Sequence, residues 1–335
     1  LPLPVSLLYT HSLPPYQVDR MKAVVRFHLS GVIRAIFDGK KPYNPVLGET
    51  CAWTFEHGAD GAGAPSHMVC EQVSHHPPVS AFYLWNRALG VSLEGFAETC
   101  PRFTGNSVVV PFKGERRLRI PRLGETYVLT VANLVYRGLL FGARGAEWTG
   151  TVTVACEKTG LRCKLELKPL GTLGLWGSWH RVEGAIKVKG RAGNKVLVGS
   201  IAGHWDKVVY YTDARGAGNG SKEAQGDAGR EVLYDFEAAA ATRRLRLVQP
   251  PRAVLPSDSQ VVWAALSEAL TAREMKRANR VKGEIEQAQR DLAARRSKGG
   301  EAWEPRFFAR GRVGEPAWAP RVESLLAFAK THMVD

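Results

Sequence analysis

From residue 41 to about residue 210 the chain is a succession of short runs rich in β-branched and aromatic residues, separated by Gly, Pro and Asn. Runs at 50–56, 67–74, 79–86, 91–99, 106–112, 116–120, 126–131, 148–155, 161–168, 180–189 and 195–203 fit strands. The connections between them are short, so mostly antiparallel hairpins follow. Such a series, with few helices inside it, reads as a sandwich or a barrel. A large closed barrel has room for a lipid-sized cavity, whereas a small one is filled by its own side chains.

Helical patterning lies outside this region. Residues 1–20 are Pro-rich and read as mostly extended. Met21, Val24, Val25, Leu29, Val32, Ile33 and Ile36 recur at helical spacing, which predicts a helix over 21–37 ending near Gly39 and packing on a sheet. Residues 258–298 read as helical, with Ser257 or Asp258 as N-cap. The Gly- and Ala-rich stretch 212–230 reads as a flexible surface insertion. Together these imply one domain over 1–335: a short N-terminal segment (1–40), a barrel region (41–210), an insertion (211–230) and a C-terminal helical region (231–335). The start, Leu1-Pro2-Leu3-Pro4-Val5, reads as a fragment or domain boundary and not as a signal peptide, since it has neither an initiator Met nor a basic n-region.

Charge narrows the partner. Lys plus Arg number 46 against 32 Asp plus Glu, a formal net charge of +14. That balance favours an anionic partner such as an acidic membrane leaflet or a phosphorylated ligand. No RNA-recognition, helix-turn-helix or zinc-finger pattern stands out, so nucleic acid is disfavoured. No stretch approaches the roughly 20 apolar residues that span a bilayer. The five cysteines (51, 70, 100, 156 and 163) form no CxxC pair, which fits a reducing, cytoplasmic setting.

The run Glu71-Gln72-Val73-Ser74-His75-His76-Pro77-Pro78-Val79-Ser80-Ala81-Phe82 joins two imidazoles to a strand end. Prolines cannot continue a ladder, so the strand should stop at about His76. The pair could face a metal, a reacting group or an anion. A metal needs more ligands than the sequence offers: HExxH is absent, and His57 and His67 read as part of a Gly/Ala-rich loop. Ser74 adjoins His75, but no G-x-S-x-G elbow is present. No catalytic residue, metal or cofactor is therefore assigned. The plain alternative is two histidines satisfied by backbone carbonyls.

Two further groups bear on the anion reading. Pro42 holds Lys41 extended. Asn44, between Pro42 and Pro45, either presents its amide outward or caps its own turn, and Gly48 permits a tight backbone there. Lys282, Glu286 and Arg290, four residues apart, share one helix face and alone would read as a solvated ladder. Most tryptophans read as packing, but 173–179 (Leu-Gly-Leu-Trp-Gly-Ser-Trp) reads equally as an interfacial anchor or a buried turn.

The 71–82 run resembles the fingerprint of the oxysterol-binding protein-related lipid-transfer family. So does Lys41-Pro42-Tyr43-Asn44-Pro45-Val46-Leu47-Gly48-Glu49-Thr50. Pro101 to Ser107, Cys163 to Pro169, Val182-Glu183-Gly184, Gly203 to Asp206 and Trp303 to Phe308 fall in family order. The segment ahead of Lys41 is shorter than the family's, which carries a helical lid. The resemblance implies a large incomplete antiparallel β-barrel around a lipid tunnel, with an N-terminal helix and a C-terminal helical region packed on it. It implies that Lys41, Asn44, His75, His76, Lys282, Glu286 and Arg290 bind a lipid headgroup, that of phosphatidylinositol 4-phosphate. It also implies exchange of that lipid against a sterol or phosphatidylserine, by a peripheral protein at membranes or membrane contact sites. A phosphoinositide sensor or scaffold without transfer is the rival reading, and a lipid hydrolase a remote one.

Overall fold

In residues 161–168, Leu-Arg-Cys-Lys-Leu-Glu-Leu-Lys, every second residue is apolar. In the computed structural model Leu161, Cys163, Leu165 and Leu167 are buried while Arg162, Lys164 and Glu166 are exposed. That is the two-sided geometry which strict alternation dictates. Residues 14–31, 43–57, 63–171, 178–190, 193–214, 230–241, 245–248, 254–311 and 317–333 are described.

The order is α1 (Pro14–Ser30), β1 (Thr50–His57), β2 (Gly63–His75), β3 (Pro78–Asn86), β4 (Val91–Thr99), β5 (Arg102–Phe103), β6 (Ser107–Val110), β7 (Phe112–Lys113), β8 (Glu115–Ile120), β9 (Glu125–Thr130) and β10 (Asn133–Arg137). Then come β11 (Gly145–Cys156), β12 (Leu161–Lys168), β13 (Arg181–Lys189), β14 (Lys195–His204), β15 (Val208–Asp213), β16 (Arg230–Asp235), α2 (Phe236–Ala241) and β17 (Leu245–Val248). Helices α3 (Ser259–Val262), α4 (Ala264–Thr271) and α5 (Met275–Gly299) follow, then β18 (Phe308–Arg310), β19 (Trp318–Pro320) and α6 (Val322–His332). The chain is thus mainly antiparallel β with helices at both ends, as its strand-like texture predicts.

Two compact units are present. The first holds α1, β5 to β16 and α2; the second holds β1 to β3, most of β4 and the chain from residue 246. In the first, β11 to β16 form an antiparallel meander, each strand paired with the next. Strand β11 is long enough to take β10 and β9 in succession, and β10 in turn pairs with β6. Helix α1 packs against β11, β12 and β16 of this meander. Its residues 20, 21, 23–25 and 27–29 are buried, so it is covered on nearly all sides. One of them is charged: Arg20 donates to Glu125 through Nη2 (2.5 Å) and Nε (3.0 Å), and Tyr127 Oη donates to the same carboxylate at 2.8 Å. His28 is buried, and its Nδ1 has no hydrogen-bond partner among the described residues.

In the second unit β1, β2 and β3 form an antiparallel ladder, with Thr50 opposite Glu71 and Cys70 opposite Phe82. Val69, Val73, Val79, Ala81 and Trp85 of that ladder pack with Phe307, Phe308, Trp318, Leu325 and Ala329 of the C-terminal segment. A second cluster joins Val46 to Trp263, Leu266, Ala269 and Ala278, with Val281 and Ile285 against it. The cysteines at 51, 70, 100, 156 and 163 are free thiols.

Several expectations need correction. Helix α1 begins at Pro14, inside the stretch read as extended, because proline is tolerated in a helix's first turn, where N–H groups lack partners anyway. It stops at Ser30 and Gly31 is a turn; residues 32–37 of the predicted helix lie outside the described residues. Strands β10, β15 and β16 were not foreseen, and β16 lies in the region read as helical. Residues 212–214 and 230 of the predicted insertion belong to or adjoin β15 and β16, while 215–229 lie outside the described residues. The predicted 258–298 helix is three helices. It breaks at Trp263 and at Ala272–Glu274, where Arg273 has φ 59°. His67 is not in a loop: it is a buried β2 residue whose Nδ1 lies 3.1 Å from Thr54 Oγ1.

Candidate functional site

Strand β2 ends at His75, opposite Pro78. Ahead of it the register shifts, from Gln72 opposite Ser80 to Ser74 opposite Val79, so Val73 is an extra residue in the ladder. The Gln72 side chain braces the bulge. Its Nε2 donates to the Ser74 carbonyl at 2.8 Å and its Oε1 accepts from Ser80 Oγ at 2.5 Å. His76 and Pro77 form the turn, with a cis peptide bond between them. This geometry brings the two neighbouring imidazoles together: His75 Nδ1 lies 3.0 Å from His76 Nε2, with the rings at 84°. His75 is half-buried and His76 exposed. Burial first, and then the charge of His76, lowers the His75 pKa below the ordinary 6.5. The half-buried His75 ring is therefore held neutral more readily than a free imidazole until an anion compensates.

The segment 43–50 is stitched directly onto this strand end. The Gly48 amide donates to the Gln72 carbonyl at 2.9 Å, and the Gln72 amide donates to the Glu49 carbonyl at 2.8 Å. Gly48 has φ +81°, and a Cβ there would sit 3.3 Å from the Trp303 ring, so both conformation and space call for glycine. Tyr43 stacks on Trp263 at 4.8 Å and its hydroxyl lies 2.8 Å from Ser267 Oγ. Asn44 is exposed and makes no side-chain hydrogen bond among the described residues, so it does not cap its own turn. Lys41 lies outside the described residues.

Helix α5 carries the second basic group. Ala278, Val281 and Ile285 form its inward face in the cluster built around Val46 and Trp263. The same packing that seats 43–50 thus seats the half of α5 bearing Lys282. Lys282 Nζ lies 3.7 Å from Glu286, both side chains being half exposed or more. Arg290 does not extend the ladder; its guanidinium donates to Gln287 Oε1 at 2.8 and 3.0 Å. No hydrogen bond or ion pair among the described residues joins these α5 side chains to His75 or His76.

Sequence reasoning missed the two carboxylates that hold this assembly. Glu71 is buried and accepts the amides of Arg306 (2.7 Å) and Phe307 (2.8 Å), tying β2 to the 303–308 segment. Burial raises its pKa above the usual carboxylate value despite those bonds. Glu49 is buried too, and accepts from Val46 N, Ser259 Oγ and Trp263 Nε1. Their positions inside the motif-like runs were the only available signal.

Among the described residues no group of three His, Cys, Asp or Glu side chains converges as a metal site. Of the 173–179 loop, residues 173–177 lie outside the described residues. Trp179 packs beside Gly145 and His180. No helix among the described residues is long and apolar enough to cross a membrane.

The chain is similar to known proteins. The family model described as oxysterol-binding protein matches residues 5–325. The chain is 32% identical over 294 residues to human oxysterol-binding protein-related protein 8 and 34% identical over 295 residues to human oxysterol-binding protein-related protein 5. These alignments cover 86% and 87% of this chain but 31% of either relative, so the chain spans about a third of their length. The Arabidopsis thaliana oxysterol-binding protein-related protein 4C is 30% identical over 89% of this chain and 73% of its own. Among solved structures, the Osh1 ORD domain in complex with cholesterol superposes with a TM-score of 0.74 at 20% identity, covering 99% of this chain and 79% of that one. The Saccharomyces cerevisiae Osh3 ORD in complex with PI(4)P gives 0.65 at 20% identity, over 93% and 79%.

Proposed function

Because this chain belongs to the oxysterol-binding protein family, we propose that it is a lipid-transfer domain exchanging phosphatidylinositol 4-phosphate against a sterol or phosphatidylserine between membranes. It acts as a carrier, without chemistry on its cargo. The observation that carries the reading is the convergence of the 43–50, 71–82 and 303–308 segments on one strand end with two touching imidazoles. The solved relatives bound to cholesterol and to PI(4)P support it by analogy.

In this reading Lys41, His75, His76, Lys282 and Arg290 grip the phosphate. A phosphomonoester carries nearly two negative charges and accepts short charge-assisted bonds from several donors at once. Asn44, whose amide has no partner among the described residues, takes a headgroup oxygen, and Glu286 orients Lys282 or accepts from an inositol hydroxyl. The acyl chains occupy an apolar tunnel, each buried methylene contributing about 0.8 kcal/mol. Sterol or phosphatidylserine competes for the same tunnel, so a phosphoinositide gradient drives the second lipid uphill. The work is peripheral, on the cytoplasmic face of anionic membranes or at contact sites, and the net charge of +14 favours docking there.

His75→Ala combined with His76→Ala tests the assignment. The double variant should keep its unfolding midpoint and lose extraction of phosphatidylinositol 4-phosphate from liposomes; normal extraction overturns the headgroup assignment. Donor-to-acceptor liposome transfer separates a carrier from a sensor, which binds without moving lipid.

A further inference from the structure

Two hairpin ends of the first unit meet at one exposed tip. Phe103 pairs with Val108 across the β5–β6 turn, and Arg137, at the foot of the β10–β11 hairpin, pairs with both Ser107 and Gly145. The tip displays large apolar side chains to solvent: Leu140 is 71% exposed, Phe103 66%, Phe141 58% and Leu139 41%. Leu139, Leu140 and Phe141 are consecutive, and Asn106, in the turn that Phe103 leads into, is bonded to Leu140 and Phe141. An exposed apolar display of this kind marks an interaction surface.

The tip is also built to be desolvated. Asn106 accepts the amides of Leu140 (2.9 Å) and Phe141 (3.1 Å) on Oδ1, and its Nδ2 donates to the Phe141 carbonyl at 2.8 Å. The Leu139 amide donates to the Asn106 carbonyl at 3.2 Å, and on the other turn the Thr104 amide donates to the Ser107 carbonyl at 2.8 Å. A loop entering a bilayer interface forfeits water, so its backbone groups must already be paired. Charge completes the pattern. Arg102 and Arg144, both exposed, flank the apolar residues, and neither 100–114 nor 133–146 contains an Asp or Glu. Phe and Leu beside Arg, without acid, match the interfacial zone of an anionic membrane.

We propose that this tip is a membrane-docking surface: Phe103, Leu140 and Phe141 enter the headgroup region of an anionic bilayer while Arg102 and Arg144 engage lipid phosphates. The inference deepens the lipid-carrier reading, which requires the protein to meet a membrane, and rests on it for that requirement.

The test uses the full chain and sedimentation with phosphatidylcholine vesicles, with and without 30 mol% phosphatidylserine. Wild type should bind the anionic vesicles more tightly, and less so at high salt. Leu140→Ser with Phe141→Ser should lower the vesicle partition coefficient at least about tenfold. Arg102→Gln with Arg144→Gln should flatten the salt dependence. Both variants should keep the wild-type unfolding midpoint and take up detergent-presented phosphatidylinositol 4-phosphate as wild type does. Unchanged vesicle binding by the serine variant overturns the proposal. So does a change confined to oligomeric state by light scattering, which would make the tip a self-association face. Loss of detergent-presented lipid in wild type as well would instead overturn the carrier reading, leaving vesicle binding to judge the tip.

Discussion

The carboxylate of Glu49 accepts the indole N–H of Trp263 at 3.0 Å, across 214 residues of chain. It also accepts the Val46 amide at 2.9 Å and the Ser259 hydroxyl at 2.5 Å. One buried side chain thereby fixes the turn bearing Asn44 to the helices that precede α5. Glu49→Ala strips the acceptor from three donors, two of them in a buried setting, and should cost about 3–5 kcal/mol. Trp263→Phe keeps most of the packing and loses one bond, about 1–2 kcal/mol. Urea unfolding of both single variants and the double should give a coupling energy above about 1 kcal/mol; strict additivity would show that the bond does not hold these segments together.

Arg20 and Glu125, with 1% and 4% side-chain exposure, form an ion pair inside the first unit. Removing one partner leaves the other charge buried and unpaired, which costs about 3–5 kcal/mol. Arg20→Met should therefore be strongly destabilising. Arg20→Met with Glu125→Leu and Tyr127→Phe removes the ion pair together with the hydroxyl that donates to it, and should recover most of that loss. Denaturant midpoints check the order; a triple variant less stable than Arg20→Met would refute it.

Strand periodicity was legible because burial on one face enforces it. Leu161 to Lys168 and Val91 to Thr99 have in the structure the bounds that alternation suggests. Strands β10, β15 and β16 escaped notice because Asn133, Asp213 and Arg230 look like loop residues and their burial comes from neighbouring strands. The break in the late helix was hidden for a similar reason. Nothing local marks Trp263 as a stopping point, and its role comes from Glu49 far upstream. The imidazole pair, Asn44 and Lys282 stood out through composition and family resemblance. The carboxylates that position them did not, since a buried Glu is indistinguishable from a solvated one in sequence.

His28 is buried against Leu29, Arg116 and Trp148. Burial first, and then the Arg116 charge, lowers its pKa from 6.5 to about 3. The unfolded chain takes up this proton near pH 6.5 and the folded one only near 3. Stability from this residue is thus complete above pH 6.5 and falls by about 1.4 kcal/mol per pH unit below it, levelling off near the folded value. His28→Gln removes the titration. Between pH 6 and 4.5 the wild type should lose stability more steeply than this variant by roughly that slope; parallel curves would mean that His28 is protonated in the fold.

The headgroup assignment makes its own pH and salt demands. Burial and the neighbouring His76 hold the free His75 pKa below 6.5, whereas a bound phosphate stabilises the imidazolium and raises it. Binding therefore takes up protons between the two values. Affinity for a soluble short-chain phosphatidylinositol 4-phosphate should rise as pH falls from 8 to 6, then level off below the free pKa. His75→Gln should flatten that rise. Lys282 gives the complementary arm. Its pairing with Glu286 is exposed and at 3.7 Å, so Lys282→Glu should change stability by less than about 1 kcal/mol. The same substitution places a second negative charge beside Glu286 where the phosphate is proposed to sit, and should weaken binding at least about tenfold while leaving sterol uptake unchanged. Calorimetry at two pH values and two salt concentrations reads both arms. A flat pH profile together with wild-type affinity in Lys282→Glu would remove the phosphate from this end of the unit.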